Sequence, residues 1–153
     1  MSAETRLVEL GITLPKPTTP GGTYAVWRLG GGLLFLSGVG PRRPDGSYVT
    51  GQVGGAVSLE QGVEAARLCG LCLLGNMRAA LGSLDRVEGI LKVFGMVNAV
   101  AGFVRHPAVI DGCTNLFVEL FGDAGRPARS AVGMAGLPFD ISVEIEAVAQ
   151  IRA

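Results

Sequence analysis

The run Val143-Glu-Ile-Glu-Ala-Val-Ala-Gln-Ile151 sets apolar residues at 143, 145, 147, 149 and 151 against Glu144, Glu146 and Gln150. A period of two belongs to a strand with one face in a core and the other in a more polar setting. Such a strand needs a covering layer, and the chain supplies one. Ser58-Leu-Glu-Gln61 has the spacing of a capping box, in which a hydroxyl and an amide satisfy each other's free backbone N–H groups at a helix start. Beyond it Leu59, Val63, Ala66, Gly70, Leu73, Met77 and Ala80 recur at helical spacing until Gly82 ends the helix.

The other elements follow from punctuation. Ser2 to Leu10 reads as a short helix closed by Gly11, and Pro15, Pro17 and Pro20 force an extended passage after it. Tyr24 to Leu29 and Leu33 to Ser37 flank the turn Gly30-Gly31-Gly32 as a β-hairpin, and Tyr48-Val49-Thr50 is expected to add a short third strand. Val87 to Val100 is a branched, apolar run suited to a buried strand. Asp111 reads as the N-cap of a second helix, with Cys113, Leu116 and Leu120 on one stripe and Gly122 past its end. Ser130 to Ala135 completes the strands. This order predicts an α+β fold, a mixed sheet covered by two helices on one face. Two helices cannot shield both faces, so the second face calls for a neighbouring subunit.

With 153 residues and no composition break, one domain spanning 1–153 is expected, with 1–19 as an N-terminal extension. Hydrophobic residues make up 48% against 17% charged, which rules out a disordered chain. Thirteen basic residues balance thirteen acidic ones, so the electrostatic footprint of a nucleic-acid or anionic-membrane binder is missing. Small molecules and protein partners remain. The start MSAETRLVEL has no apolar segment of the secretory kind, and Leu29 to Pro41 is too short to span a bilayer. Three cysteines, an odd number, make no disulfide framework, and the expected location is cytoplasmic.

Several chemistries fail on residue type. His106 is the only histidine, followed by Pro107 at a loop-to-helix junction, and reads as a turn residue rather than a base. Cys69-Gly-Leu-Cys72 falls in mid-helix, away from the N-terminal dipole that activates redox thiols, and reads as core packing. No metal-ligand spacing and no phosphate-binding glycine motif occurs, so no metal or cofactor is expected. Arg129, before an apolar strand, can grip a carboxylate in two-point fashion or form a structural ion pair. Glu144 and Glu146 share one strand face, a spacing open to acid–base work and to an ordinary polar face alike.

The segment Pro127-Ala-Arg-Ser130-Ala-Val, then Leu137-Pro138, then Val143-Glu-Ile-Glu-Ala147 resembles the C-terminal signature of the reactive-intermediate deaminase family, also called RidA or YjgF-like and formerly endoribonuclease L-PSP. Tyr24, Ser37-Gly38, the long capped helix, Leu84-Asp85-Arg86-Val87 and Asn115 fall in that family's order, so the resemblance covers roughly residues 20–151. It implies a chorismate-mutase-like fold assembled as a homotrimeric barrel, with ligand clefts between subunits. It implies further that Arg129 binds a substrate carboxylate, that Glu144 positions the water that hydrolyses an imine, and that Tyr24, Ser37 and Asn115 line the cleft. The expected activity is hydrolysis of 2-imino or enamino acids to 2-oxo acids and ammonia. The chain carries Ala131 and Gly133 where the family's best-known deaminases carry cysteine and glutamate. A non-catalytic trimeric module that binds small carboxylates is therefore the alternative.

Overall fold

The computed structural model describes residues 1–152. Its strands are β1 (Trp27–Gly30), β2 (Leu33–Val39), β3 (Val87–Asn98), β4 (Ala128–Met134) and β5 (Val143–Ile151), and its helices are α1 (Ala3–Glu9), α2 (Leu59–Leu81) and α3 (His106–Phe121). The strands form one mixed sheet in the order β1-β2-β5-β3-β4. Every neighbouring pair is antiparallel except β3 and β4, which run parallel because α3 carries the chain between them. The fold is α+β, as the pattern predicts.

The predicted caps are in place. Ser58 Oγ accepts from the Gln61 backbone N–H, the Gln61 side chain accepts from the Ser58 N–H, and Gly82 closes α2 in a left-handed conformation. Gly31 and Gly32 both take positive φ in the β1–β2 turn, the conformation that matches the twist of a two-residue hairpin. β5 occupies the span read from its alternation, with Val143, Ile145, Ala147 and Ala149 buried.

Both long helices lie on the face that these residues present. Gly112 of α3 meets the Val63 carbonyl of α2 so closely that a Cβ there would overlap it, which is why a glycine interrupts the apolar stripe. Leu34, Val93, Val97 and Ile145 from the sheet pack with Leu73, Met77, Ile110 and Phe117 from the helices, all fully buried. Each such side chain contributes about 1.5–3 kcal/mol by leaving water. Cys69, Cys72 and Cys113 belong to this core as free thiols, and burial pushes their ionisation upward, so the CxxC pair is packing. The first residues join it too. Leu7 is buried, and Asn76 of α2 pairs its side-chain amide with Thr18.

The opposite face carries no helix. Register places Phe35, Val148 and Lys92 in one row, Glu146, Phe94 and Ser130 in the next, and Glu144, Met96 and Val132 in a third. Phe35 and Val132 keep 46% and 38% of their surface exposed, an apolar content unusual for a water-facing sheet.

Three sequence expectations are corrected. Tyr48-Val49-Thr50 forms only isolated bridges, Arg42 to Tyr48 and Thr50 to Ile141, because the Asp45-Gly46 turn folds the segment back on itself. α3 begins at His106 rather than after Asp111. Pro107 occupies its first turn, where a missing N–H costs nothing, and Val109 and Ile110 extend the buried stripe upstream. β4 starts at Ala128, so Arg129 lies inside the strand rather than before it.

Candidate active site

Glu144 stands on the helix-free face of β5, opposite Met96. The carboxyl fits because β2 is irregular between Leu36 and Val39 and has no side chain at Gly38. A Cβ there would lie 2.9 Å from Glu144 Oε2. Ser37, in the same irregularity, donates its hydroxyl to the Ala25 carbonyl at 2.6 Å and its backbone N–H to the Val26 carbonyl at 3.0 Å. Those two bonds hold the loop before β1 against β2. Tyr24, at the end of that loop, accepts at its hydroxyl from the Gly21 N–H at 3.0 Å, which leaves its own proton free to donate.

These three residues meet in one cavity of about 560 Å³. Val26, Val39, Tyr48, Ile141 and Phe139 make most of its remaining wall apolar or aromatic. The half-buried Glu144 carboxyl has no hydrogen-bond partner among the described residues. Loss of hydration raises its pKa above the ordinary carboxylate value, and the neighbouring Glu146 charge adds to the rise. A carboxyl so placed is a stronger proton acceptor than an ordinary surface one.

Arg129 is elsewhere. It pairs with Val93 in the β3–β4 register, on the helix-covered face of edge strand β4. Its guanidinium contacts Asp111 Oδ1 at 2.8 Å, donates to Thr114 Oγ1 at 3.0 Å and donates to the Pro107 carbonyl at 3.1 Å. Of the two readings open in the sequence, the ion pair is formed. Nε–H still lacks a partner among the described residues, so one edge of the fork stays available for a carboxylate. Asn115, one helical turn beyond Asp111, is exposed on the same side of α3.

Within one chain the five predicted residues thus divide into two groups. Tyr24, Ser37 and Glu144 share a cavity on one face of the sheet, while Arg129 and Asn115 lie beside α3 on the other. His106 belongs to the second group. Its ring packs edge-on against Phe103 with centroids 5.1 Å apart, and a Cβ on Gly133 would lie 2.6 Å from its Nε2. The imidazole therefore fills the space a side chain at 133 would need, and Ala131 beside it packs on the core. No group of three or more His, Cys, Asp or Glu side chains is placed to hold a metal among the described residues, and no helix is long and apolar enough to cross a membrane.

Sequence reasoning took Asp111 only as a helix cap and Tyr48 only as a strand residue, and passed over Thr114 and Phe139. Nothing local marks their place at a site, since each gains its neighbours there from a distant segment. Gly38 was visible only beside Ser37 in the family resemblance, with nothing to mark its contact with Glu144.

A hollow of about 830 Å³ beneath α1 is larger than the Glu144 cavity. Its Arg6 and Arg152 already contact Glu9 and Glu88, and none of the predicted residues lies in it.

Comparison with known proteins places this geometry. Residues 4–149 match the family described as "YjgF/chorismate_mutase-like, putative endoribonuclease". Protein TCP17 of Trypanosoma cruzi is 38% identical over 147 residues, covering 95% of this chain and 92% of its own. A crystal structure of an Agrobacterium tumefaciens protein of unknown function is 41% identical, with a TM-score of 0.89 over 98% of this chain and 94% of that one. Another, described as "a putative endoribonuclease" of Shewanella oneidensis, superposes with a TM-score of 0.94 at 29% identity, over 99% and 100% of the two chains. On fold and on sequence, the chain belongs to the YjgF/RidA-like family.

Proposed function

We propose that the protein hydrolyses reactive 2-imino and enamino acids to 2-oxo acids and ammonia, at a cleft completed between copies of the chain. The observation that carries this reading is Glu144: a half-buried, unpartnered carboxyl with a raised pKa, set in an apolar cavity beside Tyr24 and Ser37. Water held by Glu144 attacks the C=N carbon, and the carboxylate takes the water proton as the C–O bond forms and the π electrons pass to nitrogen. The tetrahedral adduct then collapses. Glu144 returns that proton to nitrogen, then accepts the adduct's hydroxyl proton and passes it to nitrogen as the C=O bond forms and the C–N bond breaks, and ammonia and the 2-oxo acid leave.

The substrate carboxylate needs an anchor, and Arg129 is the residue whose context resembles the family's. Arg129 and Glu144 lie on opposite faces of one sheet, so one small ligand can touch both only if they come from different copies. The uncovered face with Phe35 and Val132 favours such an assembly, and a homotrimer is the form the resemblance implies. Anchoring the carboxylate fixes the C=N carbon near the held water, a gain in proximity rather than new chemistry.

A second reading, a module that binds small carboxylates without turnover, draws on two observations. Ala131 and Gly133 place no reactive group beside Arg129, and Asp111 already neutralises part of its charge. Ammonia and 2-oxo acid release from imino acids generated in situ by an amino-acid oxidase separates the two. Turnover above background that Arg129→Ala and Glu144→Ala both abolish is the expected result. Carboxylate binding that depends on Arg129 with no acceleration of any imine supports the binding module instead.

A further inference from the structure

Phe139 and Asp140 are the only non-glycine residues with positive φ among those described, at 55° and 56°. A bulky side chain rarely adopts this conformation, because Cβ crowds the neighbouring carbonyl. Here it is imposed from outside the pair. Asn98, 2% exposed at the end of β3, donates its side-chain amide to Asp140 Oδ1 at 2.9 Å and to the Ile141 carbonyl at 3.2 Å. The Gly51 N–H donates to the Asp140 carbonyl at 2.8 Å, and the Asp140 and Ile141 N–H groups close a tight turn onto Leu137 and Pro138.

None of these bonds needs the phenyl ring. The ring is 94% exposed, the most exposed large hydrophobic side chain described, and it lines the mouth of the Glu144 cavity. A buried amide thus holds a costly backbone conformation whose effect is to keep an aromatic ring in water beside a candidate reacting carboxyl. Strain of this kind persists where it positions something. The rest of the wall indicates what the ring meets. Val26, Val39, Tyr24, Tyr48 and Ile141 offer apolar and aromatic surface, and no lysine or arginine lines the cavity to offset a second negative charge near Glu144.

We infer that Phe139 is a specificity-determining residue, whose ring closes over the apolar side chain of the substrate so that branched and aromatic imino acids are preferred to the imine of alanine. This rests on the deaminase reading above and adds the substrate class to it. Acidic imino acids are disfavoured by like-charge repulsion with Glu144.

The test compares wild type with Phe139→Ala and Phe139→Gly. Three quantities are read: kcat/KM on imines made in situ from phenylalanine, leucine and alanine; calorimetric binding of phenylpyruvate and pyruvate; and sedimentation. The ratio of kcat/KM for the phenylalanine imine over the alanine imine is expected to fall about tenfold or more in both variants, the size of a lost apolar contact in a specificity pocket. Phe139→Gly is also expected to unfold a few degrees higher, since glycine adopts positive φ freely. Equal losses on both imines, or a change of oligomeric state, overturn the inference, the latter because the ring would then be packing between subunits. If wild type turns over no imine yet binds phenylpyruvate more tightly than pyruvate, and the variants lose that preference, the inference stands and the deaminase reading falls. Neither turnover nor preference sinks both.

Discussion

The two sides of the sheet treat their charged residues in opposite ways. Beside α3, Arg129 has an acidic partner, a hydroxyl and a carbonyl within 3.1 Å, and His106 fills the space over Gly133. On the far face, Glu144 has no partner among the described residues, its pKa is raised by burial, and the turn at its cavity mouth holds two residues at unfavourable φ. One region satisfies its charge and the other leaves it unsatisfied. The lesson is that an arginine and a glutamate of one sequence signature need not meet in one subunit. The satisfied side is suited to hold a ligand in place, and the unsatisfied side to move a proton.

The largest break in this contrast comes from Glu144→Gln. On the proposed deaminase reading Glu144 is the general acid–base, and its removal lowers kcat by about 10²- to 10⁴-fold. The same change raises thermal stability at neutral pH. A carboxyl whose folded pKa lies above its unfolded value contributes stability fully present below the unfolded pKa, and that contribution is lost as pH rises through the folded one. The stability gain of the variant therefore vanishes in acid, and melting curves taken from acid to neutral pH read it directly. Gly38→Ala is next. Its Cβ displaces Glu144 Oε2 from a 2.9 Å approach, and because the obstructing atom ends a flexible side chain, the fold survives while kcat drops by about 10- to 100-fold.

Changes on the satisfied side act on packing and stability as well as on affinity. Arg129→Ala leaves the Thr114 hydroxyl and the Pro107 carbonyl without their donor and destabilises by about 1 kcal/mol, a modest figure because Asp111 is half exposed. Asp111→Asn keeps the arginine and removes its counter-charge, so it costs about 0.5 kcal/mol or less and strengthens carboxylate binding, visible as a lower KM. Smallest of all is Gly133→Glu. It expels the His106 ring from its seat on β4, and fluorine or proton NMR of the Phe103–His106 pair registers the loss while the melting temperature moves little.

Legibility in the sequence followed the range of the interactions. β5 was readable to the residue because alternation is local, and α2 because both caps are written beside it. The start of α3 was misread because Asp111 is a good capping residue type. The actual cap, Arg105, makes no side-chain bond, so the helix begins on packing and on Pro107. For the candidate site, the sequence names the residues but not their grouping. That Glu144 faces Gly38 depends on an irregular β2–β5 register, and that Arg129 meets Asp111 depends on how α3 lies along β4. Left-handed Phe139 leaves no local trace, because the buried Asn98 that helps hold it is 41 residues away, paired through Asp140.

The central claim is that one site needs Glu144 from one copy and Arg129 from another, and complementation tests it most directly. Glu144→Gln and Arg129→Ala chains, each inactive alone, are denatured together, refolded as mixed oligomers and assayed for imine hydrolysis. Random assembly of equal amounts regenerates about a quarter of the sites with both native residues, so activity returning to that fraction of wild type is the predicted result. Mixed oligomers that form, as native mass spectrometry would establish, yet stay inactive contradict the account.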